Sequence, residues 1–249
     1  MSVVISRHGA VLHARIDRPE SGNACSSTVM AGLEEWLAAA AGPEVRALVL
    51  TGTGRSFCAG ADLAEGTALL DDPPALRAFL GRGRDLVRAI SAAPVPTVAA
   101  VNGAAYGGGL ELMLACDLAI AGNSASVGDR HLRVGQVPGW GSSAMLPSAV
   151  GQAWSRRLLL TAEALSADQA ASIGLVTEVV DDDALQARAL SLAQGLASAD
   201  PAAMGRMLRL ARAPRDVEPA WELEWQTQTE HLSGQDADAG ATSMERLRR

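Results

Sequence analysis

The chain has 249 residues, of which 48% are hydrophobic, and a formal net charge of −7 at pH 7. This length is enough for one large hydrophobic core, and the acidic balance argues against a nucleic-acid-binding protein, which needs a positive surface. No apolar stretch reaches the roughly 20 residues of a membrane span, so we expect a cytoplasmic protein that binds neither membranes nor nucleic acids. Three separated cysteines indicate neither a disulfide framework nor a metal site.

Short β-like runs alternate with helical patterns along the first 180 residues. Strands are predicted over 2–6, 11–16, 45–52, 96–103, 117–122 and 174–180. Between them, apolar residues recur at helical spacing in 28–41 and in 75–92. Alternation of this kind is typical of an α/β protein.

The last part of the chain shows only helical patterns. Ser166 and Gln169 match a capping box at the start of a short helix, and Asp200, followed by proline, opens another. We therefore divide the chain into an α/β body, 1–195, and a C-terminal helical region, 196–249. The helical region is expected to pack against the body or against a neighbouring subunit.

Two loops, 51–63 and 102–112, follow strand-like runs and end in glycine before a helix. Glycine lets the backbone approach a ligand, and the first N–H groups of a helix have no internal partner. Two such groups that converge form an oxyanion hole, in which each donor is worth about 3–4 kcal/mol of barrier. Glu111 lies about one helical turn after Gly108, so its carboxylate can reach the same ligand. A second interpretation stays open, in which the glycines mark close helix packing and Glu111 forms a cap or a salt bridge.

Five segments, in order along nearly the whole chain, resemble the enoyl-CoA hydratase/isomerase family, the crotonases. They are RPESGNA (18–24), GRSFCAGADL (54–63), AAVNGAAYGGGLELMLACDLAIA (99–121), VGQVPGWG (134–141) and LLLTAEALSADQAASIGLVTEVV (158–180). The resemblance implies a right-handed spiral of ββα turns with a C-terminal helical region, assembled as a homotrimer or hexamer. It also implies an acyl-CoA thioester as substrate, with coenzyme A as part of that substrate and no separate cofactor or metal.

The resemblance also assigns roles to individual residues. Ala61 and Gly108 are implied as the backbone donors to the thioester oxygen, and Glu111 as the first of two catalytic glutamates. Contacts with the substrate or its coenzyme A are implied for Ala24, Ala61, Asp62, Leu63, Ala64 and Gly108. Three tryptophans are candidate walls of the acyl pocket: Trp140, Trp221 and Trp225.

The match departs from the family at the second glutamate, where this chain has His131. A histidine has an ordinary pKa of about 6.5 and can donate or accept a proton, so Glu111 and His131 could still run water addition. His131 could instead be a structural residue bonded to Asp129, and Asp129 is then either the group that orients His131 or a plain turn acid.

We therefore predict an enzyme, a hydratase-like lyase that adds water across the C2–C3 double bond of an enoyl-CoA thioester. Because the second glutamate is replaced, a crotonase-fold isomerase, decarboxylase or C–C hydrolase is the alternative. A non-catalytic acyl-CoA-binding protein is the alternative of another class.

Overall fold

The computed structural model describes residues 2–212 and 217–233. Within them the strands form two sheets. The six-stranded sheet contains, in spatial order, β1 (Val3–His8), β2 (Val11–Ile16), β3 (Ala47–Gly52), β5 (Thr97–Val101), β7 (Leu118–Gly122) and β10 (Glu178–Val180). The four-stranded sheet contains β4 (Ser56–Cys58), β6 (Ala104–Tyr106), β8 (Ser126–Gly128) and β9 (Leu165–Ser166). All neighbours are parallel except β1 with β2 and β8 with β9.

Each turn of the chain adds one strand to the larger sheet, one to the smaller sheet, and then a helix. The pair β3–β4 leads into two helices, α2 (Leu63–Ala68) and α3 (Pro73–Ser91). The pair β5–β6 leads into α4 (Gly108–Ala115), and the pair β7–β8 leads into α5 (Ser142–Thr161). Because equivalent strands of successive turns pair in parallel, the ββα units stack on one another, which confirms the predicted spiral. The remaining helices are α1 (Ser27–Ala39), α6 (Ala167–Ser172), α7 (Leu185–Ser198), α8 (Pro201–Ala211) and α9 (Val217–Ser233).

The strands of the larger sheet match the predicted runs, although β10 is shorter than its predicted run. The interpretation of 51–63 and 102–112 as loops throughout was wrong, because these segments contain β4 and β6. Three-residue strands in glycine-rich sequence show no alternation that could reveal them. The predicted caps are confirmed, since Ser166 and Gln169 form a capping box and Asp200 caps α8.

The larger sheet is buried on both faces. Leu48 and Leu50 of β3 point into the main core, whereas Val49 between them points into a second core against α7. In α7, Ala189 and Ala193 lie one turn apart and are fully buried there. The continuous apolar run of β3 follows from this burial, as in parallel sheets generally.

Within the helical region, α9 packs on the body, which was one of the two predicted partners. The buried residues of α9 are Trp221, Glu224 and Gln228, spaced by three and four positions on one face, and this helix contacts α3 and α5. The division at residue 195 lies inside α7 and stays a prediction, and 234–249 lie outside the described residues. Among the helices of 2–212 and 217–233, none has both the length and the apolar character needed to cross a bilayer.

Candidate active site

The first predicted backbone donor, Ala61, lies just after β4. Cys25 N–H donates to Gly60 O (2.8 Å) and Asp62 N–H donates to Cys25 O (3.2 Å), so the segment forms a parallel bridge with Cys25. In such a bridge the N–H of Ala61 points away from Cys25, toward the start of α4. Gly60 has φ +114°, and a Cβ there would lie 3.3 Å from Gly108 N. Glycine at this position therefore lets the two backbone segments approach each other.

The second predicted donor, Gly108, is the first residue of α4. Gly107 before it has φ 52° and donates its own N–H to Asp129 O (2.9 Å). A Cβ on Gly108 would lie 3.2 Å from Ala61 N and 2.4 Å from the Trp140 ring. The structure thus brings the Ala61 and Gly108 amides together, and neither donates to an acceptor within the described residues. Their binding of a thioester oxygen stays a prediction.

Glu111 is buried one turn further along α4, with 1% of its surface exposed. Its Oε1 accepts hydrogen bonds from Trp140 N–H (2.9 Å) and Ser142 N–H (3.0 Å) at the start of α5. Its Oε2 has no such bond to any described residue, and the side chain lines a cavity. Burial raises the pKa of Glu111 to about 8, although the nearby His131 lowers it. Glu111 is therefore both a helix cap, through one oxygen, and a group that faces the cavity.

His131 begins a short 3-10 helix, His131–Val134, and lines the same cavity. Its Nδ1 donates to Asp129 Oδ1 (3.0 Å), and its Nε2 lies 3.5 Å from where a Cβ on Gly107 would be. Burial alone lowers the pKa of His131, but the hydrogen bond and charge of Asp129, followed by the charge of Glu111, raise it to about 9. His131 is thus bonded to Asp129 and also faces the cavity.

The cavity has a volume of about 310 Å³. Besides the polar groups it is lined by four large apolar side chains, Leu76, Phe79, Leu80 and Trp140. The Trp140 ring occupies the space left by the missing side chain of Gly83, where a Cβ would lie 2.2 Å from it. Of the three candidate tryptophans, Trp140 alone lines this cavity within the described part of the chain. A cavity with large apolar side chains and a few convergent polar groups is typical of a ligand site.

The residues implied as coenzyme A contacts divide into two groups. Ala61, Asp62, Leu63 and Gly108 line the cavity, whereas Ala24 and Ala64 do not.

Asp62 also has a structural role. It caps α2 through Ala64 N–H (3.1 Å), and Arg18 Nη1 donates to its Oδ2 (2.7 Å). Burial alone raises the pKa of Asp62, but the hydrogen bond and charge of Arg18 together with the backbone N–H groups of Glu65 and Ala64 outweigh burial, and the net shift is downward. Arg18 also donates to Ala24 O (3.1 Å), so this arginine joins the N-terminal motif to α2.

Sequence reasoning missed Glu224, a buried acid of α9. Its carboxylate accepts from Gly141 N–H (2.5 Å) and from Ser143 N–H (2.7 Å). Glu111 binds the amides of residues 140 and 142, so the two glutamates alternate along the start of α5. Burial raises the pKa of Glu224. The signal in the sequence was a charged residue on the same helical face as Trp221.

The comparisons with known proteins agree with this geometry. A family model described as enoyl-CoA hydratase/isomerase matches residues 6–248. The chain is 35% identical to (E)-benzylidenesuccinyl-CoA hydratase of Thauera aromatica over 87% of this chain and 84% of that protein. It is 34% identical to short-chain-enoyl-CoA hydratase of Clostridium acetobutylicum over 82% of this chain and 78% of that protein.

Solved structures give the same result. An enoyl-CoA hydratase/isomerase from Pseudoalteromonas atlantica superimposes with a TM-score of 0.87 at 34% identity, covering 100% of this chain and 98% of that one. This match agrees with the structure of the described chain, which has the ββα spiral, the paired glycine turns and the glutamate that faces the cavity. The protein is therefore a member of the enoyl-CoA hydratase/isomerase family, which acts on acyl-CoA thioesters.

Proposed function

We propose that the enzyme adds water across the C2–C3 double bond of a 2-enoyl-CoA thioester. One observation carries the proposal: the Ala61 and Gly108 amides, which meet no acceptor in 2–212 or 217–233, lie beside a cavity that Glu111 and His131 both face. The thioester oxygen would accept both N–H groups, and its negative charge would develop there as an enolate forms. Each such donor is worth about 3–4 kcal/mol of barrier.

The two side chains supply the proton transfers. Glu111 as carboxylate takes a proton from water while the water oxygen attacks C3, and the His131 imidazolium gives its Nε2 proton to C2. The product has gained one water, and the enzyme is left with protonated Glu111 and neutral His131. Return of the proton from Glu111 to His131, directly or through solvent, restores the starting state.

The environment of each group favours these roles. Glu111 has its pKa raised to about 8 by burial, so it holds a proton more strongly than an ordinary carboxylate and is a better base. His131 has a pKa of about 9, because Asp129, Glu111 and Glu224 outweigh the effect of its burial, and it keeps its proton at neutral pH. One acid and one base of similar pKa are thus available on the same cavity.

A hydration assay tests the proposal. Crotonyl-CoA and longer 2-enoyl-CoA thioesters should lose their conjugated absorbance when the purified protein is added. Glu111→Gln keeps an oxygen for the Trp140 and Ser142 amides, so it should fold, yet lower kcat by about 10²-fold or more. Glu178→Gln is the matched control, because Glu178 is a half-buried surface acid paired with Arg188 (2.8 Å) outside the cavity, and it should leave kcat unchanged. Absence of hydration with coenzyme A thioester binding intact would reject the proposal.

The His131–Asp129 pair is also the observation that favours a second candidate, a crotonase-fold isomerase, decarboxylase or C–C hydrolase. Such an enzyme would use Glu111 or His131 as its single base. His131→Glu discriminates, since a sharp rise in hydration from near zero would show that the natural reaction is another one. Mass spectrometry of an acyl-CoA panel then reports carbon dioxide lost or a C–C bond cleaved, and chromatographic separation before it distinguishes an isomer whose double bond has moved.

We also propose that the enzyme is a homotrimer or hexamer. In support, α8 exposes two large apolar side chains, Met207 at 61% and Leu210 at 69% of their surface. Light scattering of the purified protein should give three or six times the chain mass of 25.7 kDa. A monomer would contradict this assembly.

A further inference from the structure

Asp129 is buried to 1% exposure and has every carboxylate oxygen in use. Its Oδ1 accepts from His131 Nδ1 (3.0 Å) and from the His131 backbone N–H (3.3 Å). Its Oδ2 accepts from Ser142 Oγ (2.5 Å). A carboxylate has no proton to give at neutral pH, so the proton of this bond lies on Nδ1, and Nε2 is the nitrogen left for the cavity.

Ser142 connects the two groups that face the cavity. Its backbone N–H donates to Glu111 Oε1 (3.0 Å), while its hydroxyl donates to Asp129 (2.5 Å). The residue is fully buried and is the first of α5. The base and the acid of the proposed reaction are therefore joined through one rigid helix terminus.

We propose that Asp129 and Ser142 are positioning residues: Asp129 holds His131 in the Nδ1–H form with Nε2 toward the cavity, and Ser142 holds Asp129 in register with Glu111. Buried carboxylates that fix the tautomer of a histidine are a recurrent device in enzymes. The effect on catalysis rests on the proposed function. The effect on the tautomer and titration of His131 is independent of the proposed function.

Several charged groups face His131 and must enter any interpretation of its titration. They are Asp129, Glu111 on α4 and Glu224 on α9, all acidic. The arginines Arg130 and Arg133, next to His131 in sequence, line the same cavity. The Arg130 guanidinium lies 4.7 Å from the centre of the Tyr106 ring, and Arg133 Nε donates to Ala162 O (3.4 Å). Asp129 alone hydrogen-bonds the imidazole among the described residues, so its replacement tests the pair directly.

Nuclear magnetic resonance of histidine labelled with ¹⁵N decides the inference without any substrate. The chain has four histidines, and His131→Gln assigns the signal. In the natural protein we expect a low-field Nδ1–H proton and, above pH 9, the Nδ1–H tautomer. We also expect a titration midpoint near 9, because Asp129 and the two glutamates raise this pKa by more than burial lowers it. Finding the Nε2–H tautomer in the natural protein would overturn the proposal, whether or not any variant folds.

Asp129→Asn preserves the shape of the side chain and removes its charge. We expect the His131 midpoint to fall by at least one pH unit and the Nδ1–H signal to weaken. The matched control is Asp117→Asn, a carboxylate bonded to Arg212 (2.6 Å) and Thr97 (2.8 Å) outside the catalytic cavity, which should leave both unchanged. An unchanged His131 titration in Asp129→Asn would make Asp129 a plain turn acid and overturn the proposal.

Kinetics supply the second readout. With an enoyl-CoA substrate, Asp129→Asn should lower kcat by about 10²–10⁴-fold with little change in KM, and should move the alkaline limb of its pH profile to lower pH. Ser142→Ala should lower kcat by about tenfold, because its backbone N–H still binds Glu111. If Asp129→Asn loses this much kcat but its pH profile does not move, the result would contradict the positioning role. If the natural protein hydrates no enoyl-CoA, the proposed function fails while the resonance measurement still decides this inference.

Discussion

Replacing Gly108 by alanine tests the oxyanion hole with a single methyl group. That methyl would lie 2.4 Å from Cζ3 of Trp140 and 3.2 Å from Ala61 N. The first distance is impossible for two carbon atoms, so the Trp140 ring or the start of α4 must move. Either movement separates the Ala61 and Gly108 amides or narrows the space between them.

The size of the effect follows from these contacts. Loss of one aligned donor costs about 3–4 kcal/mol of barrier, or about 10²–10³-fold in kcat. Displacing the packed Trp140 ring costs about 1–3 kcal/mol of unfolding free energy, which the better helix propensity of alanine offsets by about 1 kcal/mol. We therefore expect Gly108→Ala to be folded and nearly inactive.

Stopped-flow hydration of crotonyl-CoA measures kcat, and urea denaturation measures the free energy of unfolding. Gly195→Ala is the matched control, because Gly195 lies in α7 and a Cβ there meets nothing within 4 Å. It should keep full activity and gain up to about 1 kcal/mol of stability. If Gly108→Ala keeps kcat within about threefold of the natural enzyme, the two amides do not form the oxyanion hole.

Three further predictions concern the buried acids. The value of kcat/KM, which reports the pKa values of the free enzyme, should rise as Glu111 ionises near pH 8 and fall as His131 loses its proton near pH 9. Its profile against pH should be a narrow bell, and an optimum below about pH 7 would contradict this. Burial raises the pKa of Glu111 from 4.5 to about 8, so folding takes up a proton and stability falls as pH rises through that range. Urea denaturation at pH 7 should accordingly find Glu111→Gln more stable than the natural chain by about 1–3 kcal/mol, because the lost attraction to His131 offsets part of the gain. Equal stability of the natural chain at pH 5 and at pH 8 would refute this. Glu224→Ala should lower the free energy of unfolding by about 2–3 kcal/mol and expose α9 to proteases, because Gly141 and Ser143 N–H lose their acceptor; unaltered proteolysis would count against it.

The chemistry of the site could be predicted only where it lies within one local segment. Gly108 and Glu111 are three residues apart on one helix, so helical geometry places them together without knowledge of the fold. His131 was located by its place in a motif, but its partner could not be chosen from sequence. Asp129 had two interpretations, and the structure adds that its carboxylate lies 3.0 Å from Nδ1 of His131. That this contact fixes the tautomer of His131 is a proposal, which the titration of Asp129→Asn tests.

Residues distant in sequence required the tertiary structure. Glu224 lies 83 residues from Gly141, the amide that it binds, and no local pattern connects them. The small sheet was also invisible, because β4 and β6 are three residues long and gain their order from pairing with each other. Hydrogen bonds between separate segments supply the stability that such short strands lack alone.

The amino-acid sequence by itself determined the alternation of strands and helices, the glycine turns and the family, since each depends on periodicity or on residues close together along the chain. Only the tertiary structure decided that Glu111 caps α5 through one oxygen and faces the cavity with the other, and that Ser142 links it to Asp129 and His131. The physical reason is that the pKa and orientation of a buried group depend on neighbours from every packed element, and packing brings α4, α5 and α9 to one point.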